Sequence, residues 1–172
     1  MTTLLAFDPA AETPISDTGW AVVQYEDDSP PELVASGVIH GGFQGFLEWV
    51  SDIPHYHNKQ FEGPIYTPRG WFSDPTTHRC FPVDHVICEQ WVDYGGYVDT
   101  SPRLIEGIIR YLWQDVVLQP SKALQMVTAN DLKALGWYTT EGHHLDQNSA
   151  ARHALYYLRS IRHKPTLRLL SE

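Results

Sequence analysis

The stretch from Val83 to Trp91 reads VDHVICEQW and decides the fold. It is apolar and rich in β-branched residues, a composition that predicts a short buried strand. Glu89 stands at the carboxyl end of this strand. Because a buried carboxylate is costly to desolvate unless a partner compensates, Glu89 either marks the point where the strand reaches solvent or belongs to a functional site.

Two further acids occupy comparable positions in the sequence. Residues 3–8 read TLLAFD, a buried-strand pattern that ends in Asp8 and is closed by Pro9, which cannot donate to a sheet. Asp146 lies at the expected start of the last helix, which we predict to run to about Arg162. An acid in the first turn of a helix is also stabilised by the helix dipole, so Asp146 has a purely structural explanation as well.

The length and composition of the chain favour a small intracellular protein. With 172 residues, of which 42% are hydrophobic, the chain is predicted to form a single domain spanning 1–172. No apolar run reaches the roughly 18 to 20 residues of a membrane span, and no signal peptide is apparent, so we expect a cytoplasmic protein without a membrane partner. The two cysteines, Cys80 and Cys88, make no disulfide framework and are expected to be reduced.

The charge of the chain is negative and unevenly distributed. A formal net charge of −9 argues against a protein that coats nucleic acid without specificity. Residues 1–102 carry 15 acidic against 3 basic side chains, whereas residues 103–172 carry 6 against 9. An acidic part that holds metal ions beside a basic part that holds a polyanion is one interpretation, and ordinary solvated surface is the other.

Hydrophobic periodicity predicts strands and helices around the central strand. The amino-terminal part is predicted to form an antiparallel meander, and a long loop insertion at about 54–82 separates it from the central strand. An acidic turn with two prolines, at 26–32, is expected within the meander, and Ser101 is expected to cap a helix. The predicted elements are strands at 3–8, 19–25, 33–40, 83–91 and 125–128, and helices from Phe43 to about Ile53, from Ser101 to about Gln119, from Asn130 to Leu135 and from Asp146 to about Arg162.

Histidines concentrate in and beside the insertion. Because their spacings match no familiar zinc motif, a zinc-organised interaction domain is the least favoured alternative. The residues concerned are His55, His57, His78, Cys80 and His85.

The three acids can meet if the first and central strands are neighbours in one sheet and the last helix packs across it. Carboxylates placed close together raise one another's pKa, so such a cluster stays ionised only when cations neutralise it. Hard oxygen ligands select Mg²⁺, with Mn²⁺ as a substitute. Because two such ions about 4 Å apart can activate a water and stabilise the leaving oxygen of a phosphodiester, Asp8, Glu89 and Asp146 predict a metal-dependent nuclease.

Short motifs along the chain carry a resemblance to a known family. They are Asp8-Pro9, Thr18-Gly19, Glu89-Gln90, and the run SAARHAL at 149–155. In this order and spacing they resemble the RuvC family of Holliday junction resolvases, within the RNase H-like nucleases, and the last run is similar to phage-encoded members. The resemblance extends over most of the chain and leaves out the insertion.

The resemblance implies a fold, an activity and a set of metal ligands. It implies an α/β fold with a mixed five-stranded sheet flanked by helices, a homodimer, and Mg²⁺-dependent endonuclease activity on branched DNA. Asp8, Glu89 and Asp146 would ligate the metals. The family's fourth ligand falls on Ser149, which is a weak ligand, or in another alignment on His143.

The resemblance also suggests residues that contact the substrate. Lys133 is similar to a family lysine that approaches the scissile phosphate, although solvation alone also explains a lysine on a short surface helix. Aromatic residues after the central strand are expected to stack on unpaired bases, with core packing as the alternative for Trp91. Basic residues near the carboxyl end are expected to bind phosphates, with a solvated helix face as the alternative. These candidates are Trp91, Tyr94, Tyr97, Arg152, Arg159, Arg162, Lys164 and Arg168.

Two alternatives to a junction resolvase remain open from the sequence. One is an RNase H-like nuclease that acts on flaps, forks or RNA:DNA hybrids, because the acids determine the chemistry and the loops determine the substrate. The other is a non-catalytic module that binds branched DNA, which Ser149 and the acidic surface favour.

Overall fold

Strands and helices alternate along the part of the chain that the computed structural model describes, residues 1–10, 16–52, 70–77, 79–92, 100–113, 115–141 and 144–171. The strands are β1 (Thr2–Asp8), β2 (Thr18–Glu26), β3 (Ser29–Ile39), β4 (Gly70–Ser73), β5 (Cys80–Val83), β6 (His85–Gln90) and β7 (Val116–Pro120). The helices are α1 (Gly42–Asp52), α2 (Ser101–Leu112), α3 (Ala123–Met126), α4 (Ala129–Ala134), α5 (His144–Ser160) and α6 (Lys164–Leu169).

The main sheet places the ends of β1 and β6 side by side. Its five strands follow the order β3-β2-β1-β6-β7, with β1 antiparallel to β2 and parallel to β6. Phe7 lies opposite Cys88 in the β1–β6 pair, so the next residues, Asp8 and Glu89, are neighbours at the carboxyl edge of the sheet. This mixed sheet, with helices on both faces, confirms the predicted α/β fold.

Successive side chains of the strands point to opposite faces of the sheet, so the hydrophobic core consists of two layers. Phe7 and neighbouring side chains of one face pack against α1, α2 and the β4–β5 hairpin. Leu4 and its neighbours on the opposite face pack against α4 and α5. In β1 the residues from Leu4 to Phe7 are fully buried and apolar because helices cover both faces of the sheet, which explains why this strand contains a continuous hydrophobic run.

Gly19 allows α5 to begin close to the sheet. In the β1–β2 ladder Gly19 is the partner of Asp8, and a Cβ atom at Gly19 would collide with the backbone carbonyl of Asp146. The first turn of α5 therefore rests directly on β2, beside the end of β1. Ala150, Ala151 and Ala154 continue this close packing because their side chains are small and buried.

The fifth strand of the sheet is not where the sequence predicts it. The helix expected to reach about Gln119 ends at Leu112, because Trp113 adopts an extended backbone and Val116–Pro120 pairs with β6 as β7. Val116 fits both helical spacing and a strand, which explains the wrong boundary. The predicted strand at 125–128 is also wrong, since Ala123–Met126 is the short helix α3.

Three smaller expectations of the sequence also need correction. The turn expected at 26–32 is shorter, because β3 begins at Ser29. The two prolines of β3 lie in an edge strand at an irregularity in its pairing with β2, where proline is tolerated. Val83 belongs to β5, so the central strand begins at His85. The cap of α2 is Thr100, and Ser101 is the first buried residue of the helix.

The insertion at 54–82 contains regular structure. Its residues Gly70–Ser73 and Cys80–Val83 form an antiparallel pair, and Phe72 and Phe81 from this pair are buried in the core. The expectation of a loop is therefore wrong for this part. Residues 53–69 and His78 lie outside the described residues.

Two simpler expectations agree with the structure. Cys80 is exposed and Cys88 is buried, and no disulfide joins these two cysteines. Within the described ranges, no helix has the length and apolar character that crossing a bilayer requires.

Candidate functional site

Asp8 and Glu89 form the centre of the candidate site at the carboxyl edge of the sheet. The pKa of Asp8 is raised well above its ordinary value, first by burial and then by a hydrogen bond to Glu89 and the negative charges of Glu89 and Asp146. A hydrogen bond from Ser149 acts in the opposite direction. Without a cation, Asp8 therefore retains its proton more readily than an exposed acid.

Glu89 is the ionised partner of this pair. Burial raises the pKa of Glu89, but favourable contacts with His153, Asp8 and Ser121 outweigh burial and lower it to about 2. A proton held between the two carboxyl groups therefore favours Asp8 over Glu89. A site that binds a divalent cation would release this proton.

His153 contributes a third functional group from the middle of α5. Its ring is fully buried, with Nδ1 2.9 Å from Oε1 of Gln119 and Nε2 3.6 Å from Oε2 of Glu89. The distance from Nε2 to Glu89 slightly exceeds that of a hydrogen bond, and among the described residues Nε2 has no hydrogen-bond partner. Such an orphaned buried nitrogen is unfavourable unless another group binds it.

The described residues bring three metal-ligating groups together here. One ligand atom each from Asp8, Glu89 and His153 lies within 4.8 Å of the others. Two carboxylates and one imidazole suit a divalent cation, which would neutralise the carboxylates and bind the orphaned Nε2. The residues present therefore fit a metal ion.

Asp146 lies in the first turn of α5 and is close enough to influence Asp8. It is half-buried, and its negative charge contributes to the raised pKa of Asp8. The group of mutually close ligand atoms does not include Asp146, so direct ligation by Asp146 stays a prediction. Ser149, one turn later, bonds to Asp8, and His143 lies outside the described residues.

The position of His153 along the last helix, rather than its residue type, is the sequence feature that indicates a functional role. Asp146, Ser149 and His153 share one edge of the apolar stripe of the last helix, because their spacings of three and four bring them to one side. The edge is occupied by polar groups because it faces Asp8 and Glu89. Taken together, the polar residues of this edge indicate a functional site that includes His153.

Two solved structures of T. thermophilus RuvC are similar to this chain. One, RuvC in complex with a Holliday junction substrate, is 13% identical with a TM-score of 0.54, and the match covers 96% of this chain and 99% of that chain. The other, RuvC itself, is 12% identical with a TM-score of 0.54, covering 92% and 96%. The chain has a RuvC-like fold. No protein-family model matches the sequence, and no curated protein does either.

Lys133 occupies a short capped helix of the RuvC-like fold. Thr128 and Asp131 form a capping box that begins α4, and Lys133 near its end is exposed. The ammonium group lies 4.9 Å from the centre of the Tyr138 ring, a cation–π contact. A catalytic role for Lys133 stays a prediction.

Trp91 follows the acidic strand of the RuvC-like fold and is held against α2. Its backbone nitrogen donates to Oε2 of Glu106 at 3.1 Å, and the guanidinium of Arg103 lies 5.9 Å from its ring centre. The side chain is half-buried, so it retains an accessible surface. Stacking on DNA bases stays a prediction for Trp91, and Tyr94 and Tyr97 lie outside the described residues.

Two of the predicted phosphate-binding arginines make contacts within the RuvC-like fold. Arg152 donates to the carbonyl of Val127 at 2.6 Å, and Arg159 donates to the carbonyl of Met126 at 2.7 Å. Burial lowers the pKa of Arg152 from its usual value. These bonds join α5 to the carboxyl end of α3 and the residue that follows it, and DNA binding by these arginines stays a prediction. The same holds for the exposed residues Arg162, Lys164 and Arg168.

Proposed function

We propose that the protein is a structure-selective endonuclease that cleaves branched DNA, with a four-way junction as its principal substrate. The observation that carries this proposal is the convergence of Asp8, Glu89 and His153 at the carboxyl edge of a RuvC-like sheet. The motifs that resemble the RuvC family include all three of these residues. One of the similar structures holds a Holliday junction substrate, which supports DNA as the ligand class.

The residues of the site have distinct tasks in this proposal. Divalent cations, when bound, supply the water activation and leaving-group stabilisation of metal-assisted hydrolysis. Asp8 and Glu89 provide the carboxylate oxygens, and His153 provides one nitrogen. Asp146 adds negative charge to the same edge and, with Ser149, completes the site from α5.

Magnesium is the proposed physiological ion, with manganese as a substitute. Carboxylate oxygens dominate the donor set, as Mg²⁺ requires. The imidazole of His153 is a better ligand for Mn²⁺ than for Mg²⁺, because affinity for nitrogen increases toward the transition metals.

A homodimer is the proposed assembly, because a branched substrate presents paired strands for cleavage. The exposed face of α2 is our proposed contact between two copies. Leu104 and Tyr111 on this face are 47% and 67% exposed, and Ile108 lies between them at helical spacing. These three residues form an exposed apolar stripe, the α2 stripe. A twofold axis would place the α2 stripe against the same stripe of the second copy.

Replacement of Glu89 by glutamine tests the nuclease directly. Glu89→Gln keeps the shape of the side chain but removes the charge that draws cations to the site, so we expect junction cleavage in Mg²⁺ to fall about a thousandfold or more. Binding to the junction should persist, because the variant removes no basic group. Glu48→Gln, an exposed acid on α1, serves as the matched control.

The measurement compares a panel of labelled substrates under single-turnover conditions. The panel contains a four-way junction, a flap, a fork, a plain duplex and an RNA:DNA hybrid. Preferential cleavage of the junction by the wild type, lost in Glu89→Gln only, supports the proposal. Equal cleavage by wild type and Glu89→Gln would exclude Glu89 from the chemistry, and preference for another substrate would reassign the activity.

A non-catalytic DNA-binding module is the second candidate. Ser149 favours it, because its hydroxyl bonds to Asp8 where a carboxylate would be a stronger ligand. In that case the wild type would bind the junction in Mg²⁺ or Mn²⁺ and leave every member of the panel intact.

A further inference from the structure

Gln119 connects the edge strand β7 to the candidate metal site. In the β6–β7 pair Gln119 lies opposite Glu89, and its side chain is buried. Its Oε1 atom lies 2.9 Å from Nδ1 of His153. A buried glutamine with its amide against a functional histidine constrains that ring.

We infer that Gln119 is a positioning residue of the proposed metal site: its carbonyl oxygen holds a proton on Nδ1 of His153 and directs the lone pair of Nε2 toward Asp8 and Glu89. This inference rests on the proposed function, because it assigns a role within the same site. Gln119 acts through His153 and touches neither substrate nor ion.

The chemistry of the amide determines the direction of this hydrogen bond. A carbonyl oxygen only accepts, so Nδ1 of His153 must donate to Gln119. In a neutral imidazole the other nitrogen then carries the lone pair. Gln119 thereby leaves Nε2 as the nitrogen available for coordination.

The surroundings of Nε2 explain why this tautomer serves cation binding. Nε2 is buried 3.6 Å from Oε2 of Glu89, and no atom of the described residues is within hydrogen-bond distance of it. A lone pair that faces a carboxylate is unfavourable unless a cation stands between them. In the opposite tautomer Nε2–H would donate to Glu89 and occupy the position that a metal needs.

A second buried histidine provides an internal comparison. Nε2 of His163 lies 2.7 Å from the carbonyl oxygen of Glu26, so Nε2 carries the proton and Nδ1 accepts from the hydroxyl of Thr166, also at 2.7 Å. The two rings thus hold opposite tautomers, each set by its neighbour. His163 joins α6 to the end of β2 and lies apart from the candidate ligands.

The experiment combines ¹⁵N NMR of histidine-labelled protein with Mn²⁺ binding measured by EPR of the free ion. The variants of the full chain are Gln119→Leu, which removes the acceptor, and Gln119→Glu, which keeps an acceptor at the same place. Thr166→Val is the control, because it removes a hydrogen bond from the other buried histidine. Loss of one signal in a His153→Gln variant assigns the resonances.

The expected results separate positioning from general stability. In the wild type saturated with Mg²⁺, Nδ1 of His153 should be protonated and Nε2 unprotonated. At the same Mg²⁺ concentration Gln119→Leu should shift the proton to Nε2, and it should weaken Mn²⁺ binding by about 10- to 100-fold, the usual effect of losing such a partner. Gln119→Glu and Thr166→Val should keep the His153 tautomer and bind Mn²⁺ within a few-fold of the wild type.

Different outcomes overturn the positioning role of Gln119 and the proposed metal site. If wild type and Gln119→Leu bind Mn²⁺ equally, or if Gln119→Leu keeps the proton on Nδ1, Gln119 does not position His153, while the metal site stands. If Gln119→Leu and Gln119→Glu weaken binding equally, the positioning role also fails. If the wild type binds no Mn²⁺ at all, the proposed metal site fails and the inference fails with it.

Discussion

The ionised carboxyl group of Asp8 is suited to bind the proposed metal ion, whereas the protonated group favours the stability of the metal-free fold. Burial and the adjacent Glu89 raise the pKa of Asp8, so ionising this group weakens the metal-free fold. A group whose native pKa is raised stabilises the fold while it is protonated, and this stability is lost as pH rises through the native pKa. Glu89, with a native pKa of about 2, has the opposite effect, which is lost only as pH falls below about 4.

Replacement of Asp8 by asparagine tests this opposition. We expect Asp8→Asn to abolish junction cleavage and to raise the stability of the metal-free protein at neutral pH, because the variant has no charge to bury. Above about pH 4, the free energy of unfolding should fall with pH in the wild type and remain flatter in Asp8→Asn. Urea titrations in EDTA across this range measure it, with the exposed Asp28→Asn as control. Equal slopes in wild type and Asp8→Asn would refute the raised pKa.

At the same scale, the sequence predicted the acids of the site better than their neighbours. Asp8 and Glu89 were recognisable because each ends an apolar strand, where a charge demands an explanation. Gln119 was not recognisable, because amide groups occur throughout proteins as ordinary polar residues, and His153 was recognisable only through its place on the polar edge of the last helix. Their roles depend on a contact between residues 34 positions apart, which no local pattern encodes.

Among the elements, buried strands were predicted well and edge structure poorly. The apolar runs of β1, β2 and β6 are continuous because helices cover both faces of the sheet, so their strands were found within two residues. β7 is an edge strand that pairs on one side only, and its side chains are partly exposed. Such a pattern, with Val116 at helical spacing from the preceding residues, also fits the end of a helix. The β4–β5 hairpin was missed because Phe72 and Phe81 bury only one face of short strands.

The close contact between β2 and α5 yields a prediction for an element. Gly19→Ala places a methyl group against the backbone of Asp146, so the first turn of α5 must move away from Asp8. We expect a loss of about 1–3 kcal/mol in the free energy of unfolding, as for other overpacked cores, together with slower cleavage. Gly107→Ala is the matched control for stability, because a Cβ at Gly107 meets nothing within 4 Å and helix propensity favours alanine. Thermal unfolding of both variants gives the comparison, and equal stability of Gly19→Ala and wild type would contradict the close packing.

For the whole molecule, the charge distribution and the exposed apolar stripe point to different partners. The carboxyl-terminal part holds most of the basic residues and is our proposed DNA surface, whereas the amino-terminal part is strongly acidic. The stripe on α2 carries exposed apolar side chains that phosphates do not bind. A second copy of the chain can cover this stripe while the basic residues remain available for DNA.

The dimer proposal gives a prediction that concerns assembly rather than chemistry. Leu104→Glu places a charge at one end of the α2 stripe, and a twofold axis brings the same charge of the second copy into the interface, so the dimer should dissociate. We expect sedimentation equilibrium to give a dimer for the wild type and at least about a tenfold higher dissociation constant for Leu104→Glu, which corresponds to about 1.4 kcal/mol.

Leu167→Glu, which replaces a similarly exposed leucine on α6, is the control and should remain dimeric. Because Leu104 lies outside the candidate site, Mn²⁺ binding per chain should be unchanged in both variants. A wild type that sediments as a monomer would refute the dimer, and a dimer that survives Leu104→Glu would move the interface away from α2.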